Sequence, residues 1–315
     1  MKMENNILFI TRVDRTYLVQ KLVQYLDKNY QGIELIVASN DSFNCAMKYA
    51  HEFVNLDNNN PQQHIKQLIK NYHVGGIFVA SNYDLKWILE IKTWLQKNGV
   101  KWFAPDDESL SICLSKRKAH DFLLNIGILV PDSFKIEELE DGCQFPVILK
   151  PSDGQGSVNV IEVFSIEEVL LYSNIIKDMI IQKKVVGKEY TVDCFNDFNG
   201  NMVLCVPRLR LSVMGAHAVA SKIELNKNII DIGRKIAQNL KIVGPWNFQV
   251  FIEYDKIVVH DINPRIASGI NFSIESGFPF HKLIIEYLIG NSLTIDMVKC
   301  KSIKNNVIYS YTQYT

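Results

Sequence analysis

"GPWNFQVFIEYDKIVVHDINPR", residues 244–265, holds two apolar runs joined at Tyr254, Asp255 and Lys256, and its second run ends on an acid, an amide, a proline and an arginine. Successive side chains of an extended chain point to opposite faces, so Asp261 and Asn263 share one face. The pattern predicts a β-hairpin in which Gln249 looks onto the same site as Asp261 and Asn263. Charged and amide groups at the end of a buried strand are costly unless something engages them. A capping Asx turn beside a surface arginine accounts for the same letters, but the apolar strand weighs toward binding. Magnesium takes hard oxygen ligands, few of them carboxylates, and keeps positions for substrate phosphates, a role that suits Asp261 and Asn263. Pro264 biases Asn263 toward extended backbone, and Arg265 is placed for a two-pronged grip on a carboxylate or phosphate.

A second stretch with chemistry in it is "FPVILKPSDGQGSVNVIEV", residues 145–163. Lys150 ends an apolar run and is followed by Ser152, Gly154, Gln155, Gly156 and Ser157. Glycine-permitted backbone amides can wrap an oxyanion while the lysine supplies a point charge. No GK[ST] follows, and the next element reads as a strand, so this is not the strand-to-helix phosphate loop. A hairpin with a glycine turn beside a surface lysine fits equally well, and on these residues alone both readings stay open.

Upstream, residues 1–112 alternate short apolar runs with amphipathic helical periods, which predicts a parallel sheet with right-handed crossovers. Two helices follow, at residues 106–114 and 115–127, the second with Ser115 as cap and Gly127 as breaker. Residues 130–195 read as strand, glycine loop, strand, helix and strand. Beyond them come long strands around one helix, "IIDIGRKIAQNL", and a last helix in "PFHKLIIEYLIG". The expected fold class is α/β. It comprises an N-terminal βαβ parallel-sheet domain, residues 1–112, and a two-lobed α+β domain, residues 113–315, with a lid at about 130–189 and a C-terminal lobe at about 190–300.

The 34 Lys+Arg balance 34 Asp+Glu, so charge implies no polyanion surface and no nucleic-acid partner. The first apolar run is too short for a secretory segment. No uncharged run approaches the ~20 residues a membrane helix needs. The expectation is a cytoplasmic chain with no membrane partner. The six cysteines show neither CxxC nor Cys/His clustering, which argues against a disulfide framework or a zinc site.

Taken in order, the glycine loop after Lys150, "GKEYTVD" at residues 187–193, "INPR" at 262–265 and "ESGFPFHKLIIEYLIG" at 275–290 resemble the ATP-grasp superfamily of carboxylate-amine ligases. The texture is that of its carbamoyl-phosphate synthase large-subunit-like group, over nearly the whole chain. The resemblance implies that Lys116 and Lys150 are ATP lysines, with residues 152–157 as the phosphate-covering loop. Gln182, Lys184 and Val185 belong to the implied adenine hinge, and Glu189 holds the ribose hydroxyls. Gln249, Asp261 and Asn263 become the Mg2+ positions, and Arg265 faces the transferring phosphate. Arg208 and Arg210, on one strand face of the substrate segment 206–223, lie near the phosphates or the donor carboxylate. Residues 215–217 read as a mobile loop, with His217 a surface group. His260 is expected on the face opposite Asp261, as packing, and Asp193 as a structural hydrogen-bonding group.

Two positions depart from the family pattern: Asp261 stands where Glu is usual, and Lys183 replaces the hinge acid. The implied activity is ATP- and Mg-dependent joining of a small carboxylate to an amine through an acyl phosphate, with release of ADP and phosphate, in a possible homodimer. A non-catalytic nucleotide-binding module is one alternative. Carbamoyl-phosphate-type chemistry is another, disfavoured because the chain carries neither a second ATP-grasp half nor an amidotransferase.

Overall fold

The computed structural model describes residues 5–103, 105–139, 145–153, 158–175, 178–293 and 307–310. The alternating N-terminal pattern folds as β1 (Asn6–Ile10), α1 (Thr16–Asn29), β2 (Leu35–Ser39), β3 (Glu52–Asn55), α2 (Pro61–Asn71), β4 (Val74–Val79), α3 (Asn82–Glu90), α4 (Lys92–Lys97) and β5 (Lys101–Trp102). The five strands form one parallel sheet in the order β3-β2-β1-β4-β5. Residues 85–99, which scan as one helical period, divide at Ile91, whose backbone leaves the helical region while its side chain stays buried beside those of Ile88 and Leu95. Strand β3 escapes a hydrophobic scan because it is an edge strand with both end residues exposed.

Two capped helices follow, α5 (Asp107–Leu114) and α6 (Lys116–Asn125). Asp106 accepts from the Ser109 amide at 2.7 Å, Ser115 caps α6, and Gly127 takes the left-handed φ of +66° that stops it. A small antiparallel sheet comes next, built from β6 (Ser133–Phe134), β7 (Val147–Pro151), β8 (Ile161–Val163) and β9 (Met179–Lys183), with α7 (Ile166–Ser173) against it. Its order is β6-β9-β7-β8, and it encloses its own core of Val147, Leu149, Val163, Val169 and Ile181.

The largest sheet contains β10 (Lys188–Asn196), β11 (Met202–Met214), β12 (His217–Ile223), β13 (Gly244–Glu253), β14 (Lys256–Asn263) and β15 (Val307–Tyr309), in the order β14-β13-β10-β11-β12-β15. Helices α8 (Lys227–Asn239), α9 (Ile270–Glu275) and α10 (Phe280–Ile289) complete the chain. The hairpin expected at residues 244–265 is β13 and β14. Both residues of its turn, Tyr254 and Asp255, have positive φ, as a tight two-residue hairpin turn requires. Residues 215–217 are not a free loop: Met214 pairs with His217 across a turn in which Gly215 takes φ +59°.

One face of this sheet, with Val192, Cys194, Phe248, Val250 and Ile262, packs on Ile229 and Ile236 of α8 and Leu123 of α6. Helix α10, apolar nearly all round, shares a core with Phe9 and Phe78 of the parallel sheet and Phe195 of β10. That shared core fixes the parallel sheet against the large sheet. Glu286 of α10, buried, accepts from the hydroxyls of Tyr25 and Tyr30, each at 2.6 Å.

Candidate functional site

The other face of the large sheet is polar. Register places Thr191 and Asp193 of β10 across from Arg208 and Val206 of β11, and places Thr191 opposite Gln249 of β13; just before the first of these pairs, Glu189 forms an ion pair with Arg210. Gln249 pairs with Asp261 of β14, and Asn247 with Asn263. The side-chain alternation therefore collects Gln249, Asp261 and Asn263 on one surface, as the hairpin pattern predicts. Over this surface lies a cavity of about 560 Å³, lined also by Lys116 and Lys150 and by Arg15 and Ser81 from the parallel-sheet end.

Lys150, only 8% exposed, reaches across from the small sheet and donates to the His260 carbonyl at 3.3 Å. Burial drives its pKa down to about 8; the carboxylate of Asp261 opposes that shift and the charge of Lys116 adds to it. Lys116 opens α6, and its backbone amide donates to the Ser152 carbonyl at 2.9 Å, which ties the helix to the end of β7. Ser152 itself is buried, with its hydroxyl 3.2 Å from that of Ser115. Gly154, Gln155, Gly156 and Ser157 lie outside the described residues.

Gln182 is buried on β9 and donates to the Ser133 hydroxyl at 3.0 Å, whereas Lys184 extends to Glu162 at 2.7 Å and Val185 is half-buried. Lys183, exposed, spends its backbone amide on the Asp132 carbonyl at 2.8 Å.

The three sequence-picked arginines are not equivalent. Arg208 is locked to Asp193 at 2.8 Å, with both groups buried, and Ser273 adds a hydrogen bond to the same carboxylate. Arg210 is paired with Glu189 and donates to the Ala216 carbonyl at 2.9 Å. Arg265 instead donates to the Ile266 carbonyl at 3.0 Å and the Asn263 amide oxygen at 3.2 Å, and its buried Nε has no hydrogen-bond partner among the described residues.

The expected place of His260 is corrected. Between the Gln249–Asp261 and Val250–Val259 pairs the register shifts by one, so His260 is the extra residue of a β-bulge and lines the cavity beside Asp261. Its ring lies 4.7 Å from that of Phe251, and its Nε2 is 3.8 Å from Glu189. Burial, reinforced by the charge of Lys150, depresses its pKa to about 3 and keeps it neutral. A single inserted residue leaves no mark on hydrophobic periodicity, which is why sequence reading missed it. Arg15 was missed as well: it follows β1 in an ordinary polar turn, and only the fold turns it toward the cavity.

The oxygen set fits a hard cation poorly by itself and well with phosphate. Asp261 supplies the carboxylate, its Oδ2 accepts from Asn263 at 2.7 Å, and Gln249 offers an amide. Among the described residues no group of three or more His, Cys, Asp or Glu gathers. Such a set would hold Mg2+ only with substrate phosphates completing the shell. Two lysines over one carboxylate are what a triphosphate needs.

Fold and site together are similar to those of ATP-grasp proteins. Residues 176–307 match the family model described as "ATP-grasp in the biosynthetic pathway with Ter operon". The chain is 27% identical over 223 residues to the carbamoyl phosphate synthase large chain of Thermoplasma volcanium, covering 64% of this chain and 21% of that protein. It is 24% identical over 294 residues to the large chain from Clostridium perfringens, covering 84% and 26%. It thus spans roughly a fifth to a quarter of these curated relatives. Among solved structures, N5-carboxyaminoimidazole ribonucleotide synthetase in its ADP complex superposes with TM-score 0.75 at 15% identity, covering 98% of this chain and 81% of that one. Biotin carboxylase from Campylobacter jejuni gives 0.74 at 16%, covering 94% and 73%. L-amino acid ligase from Bacillus licheniformis gives 0.72 at 14%, covering 98% and 79%. The resemblance read from the motifs and the expected α/β architecture are both borne out. Among the described residues no helix is long and apolar enough to cross a membrane.

Proposed function

We propose that this chain is an ATP- and Mg-dependent ligase that joins a small carboxylate to an amine through an acyl phosphate and releases ADP and phosphate. The observation that carries the reading is Lys150: a buried lysine from one sheet, anchored to β14 one residue before Asp261. Phosphoryl transfer asks a protein for positioning and charge neutralisation rather than covalent chemistry. In this reading Lys116 and Lys150 hold the phosphates, while Gln182, Lys184 and Val185 flank the base and Glu189 the sugar. Asp261, Asn263 and Gln249 face the metal, which when bound neutralises charge on the phosphates. Arg265 orients the carboxylate and stabilises charge as the γ-phosphoryl group moves onto it. The small sheet over the cavity excludes water from the reactive mixed anhydride.

The test is ADP release by the purified chain with Mg·ATP and a panel of carboxylates, using hydroxylamine as a general amine, with hydroxamate as the second readout. Carboxylate-dependent ADP and hydroxamate, both absent in Lys150→Ala, are expected. ATP binding without either product in any well would favour a non-catalytic nucleotide-binding module. Carbamoyl-phosphate-type chemistry has the carbamoyl phosphate synthase relatives in its favour, and ADP release with bicarbonate and ammonia alone would select it.

A further inference from the structure

Six cationic side chains line the cavity against two carboxylates, Glu189 and Asp261. Arg208 and Arg210 are already balanced by acids, and the two lysines face the nucleotide end in the reading above. Arg15 and Arg265 remain. Arg15 stands between β1 and α1, is 8% exposed, and donates through Nη1 to the Ser268 carbonyl at 2.9 Å. Its Nε, like that of Arg265, is buried with no hydrogen-bond partner, and neither guanidinium is salt-bridged among the described residues. The contrast with Arg12, three residues earlier, is direct: that side chain is paired with buried Asp84 at 2.7 Å and stacks on Trp87.

Buried charges without a counter-ion are strongly unfavourable, and two that repel each other are worse. The mutual effect is visible in Arg15, whose pKa is depressed to about 9 by burial and then by the charge of Arg265, which outweigh the opposing charge of Asp14. Burial likewise lowers the pKa of Arg265 against the opposing charge of Asp261, with which it forms no ion pair. His217 belongs to the same region: burial and the charges of Arg15, Arg210 and Arg265 lower its pKa, so it adds a neutral polar ring rather than a counter-charge. An anion from outside would satisfy both free Nε–H groups and relieve the repulsion.

We infer that Arg15 and Arg265 form a clamp for a dianionic substrate, Arg265 facing the carboxylate that is phosphorylated and Arg15 holding a separate anionic group, so that the substrate is held partly by the parallel-sheet domain. This rests on the ligase reading for which end of the ligand reacts, but not for the clamp itself. Arg15 is a specificity-determining residue that touches substrate away from the reacting atoms.

The test is titration calorimetry on the full chain saturated with Mg2+ and a non-hydrolysable ATP analogue. The probes are glutarate, 4-phosphonobutyrate and butyrate, which share a chain and differ in the second anion. Wild type is expected to bind the dianions about tenfold or more tighter than butyrate, the scale of one or two charge-assisted hydrogen bonds. Arg15→Gln erases that ratio with nucleotide affinity unchanged, and Arg15→Lys keeps part of it. Which dianion wins distinguishes a carboxylate from a phosphate. Equal binding of all three probes to wild type, an unchanged ratio in Arg15→Gln, or loss of nucleotide affinity in both variants would overturn the clamp. Because the readout needs no turnover, an Arg15-dependent ratio in a chain that forms no hydroxamate sinks the ligase reading and leaves the clamp standing.

Discussion

Arg208 and Asp193 form an ion pair at 2.8 Å in which the side chains are 2% and 1% exposed. Ser273 donates to the same Asp193 oxygen, Oδ2, that Arg208 Nε reaches, and Gly269 lies so close that a Cβ there would sit 2.8 Å from the guanidinium. This arginine is therefore a structural strut between β10, β11 and α9 as well as a wall of the cavity. Removing one partner leaves a buried charge alone. Arg208→Met or Asp193→Leu singly is expected to cost about 3–5 kcal/mol, and the double variant clearly less than the sum. Urea unfolding of the four chains measures it; additive losses would mean the pair is not coupled.

Lys150 carries a desolvation penalty in the nucleotide-free protein. Its folded pKa, about 8, lies below the ordinary 10.5, so the unfolded chain holds more protons between those values. The contribution of this group to stability is therefore full above pH 10.5 and lost as pH falls through 8. Lys150→Met at pH 7 is expected to raise the melting temperature without ATP and to abolish the rise produced by Mg·ATP. A variant that melts lower and still responds to ATP contradicts the assigned role.

His281, packed edge-on against Tyr25, is held near pKa 4 by burial, with Lys282 and Lys21 adding to the effect. Protonation of the unfolded chain near pH 6.5 outruns that of the native state. Stability is expected to fall as pH drops from about 6.5 to 4 and to level below that. His281→Phe flattens this part of the curve, which thermal melts across that range will detect.

Asp261 is the one carboxylate of the row formed by Gln249, Asp261 and Asn263. Asp261→Asn keeps shape and removes charge. It is expected to lower ADP release on the order of a hundredfold, the usual scale for losing one group that stabilises developing charge, and to raise the Mg2+ concentration for half-maximal rate. An unchanged Mg2+ dependence would move the metal elsewhere.

The local code was legible at Ser115 and Gly127, in the alternating N-terminal third and in the 244–265 hairpin, because caps, breakers and periodicity act over a few residues. Face-sharing among Gln249, Asp261 and Asn263 followed from the same two-residue period. What the tertiary structure decided was which charges are spent. Arg208, Arg210, Arg265 and Arg15 read alike as letters, yet Asp193 and Glu189 neutralise the first two, and the last two meet across a cavity built from distant elements. One extra residue in β14 likewise turned His260 to the side of Asp261. Backbone periodicity is set by neighbours in the chain, whereas the balance of a buried charge is set by whatever packs against it, and that exists only once the sheets have come together.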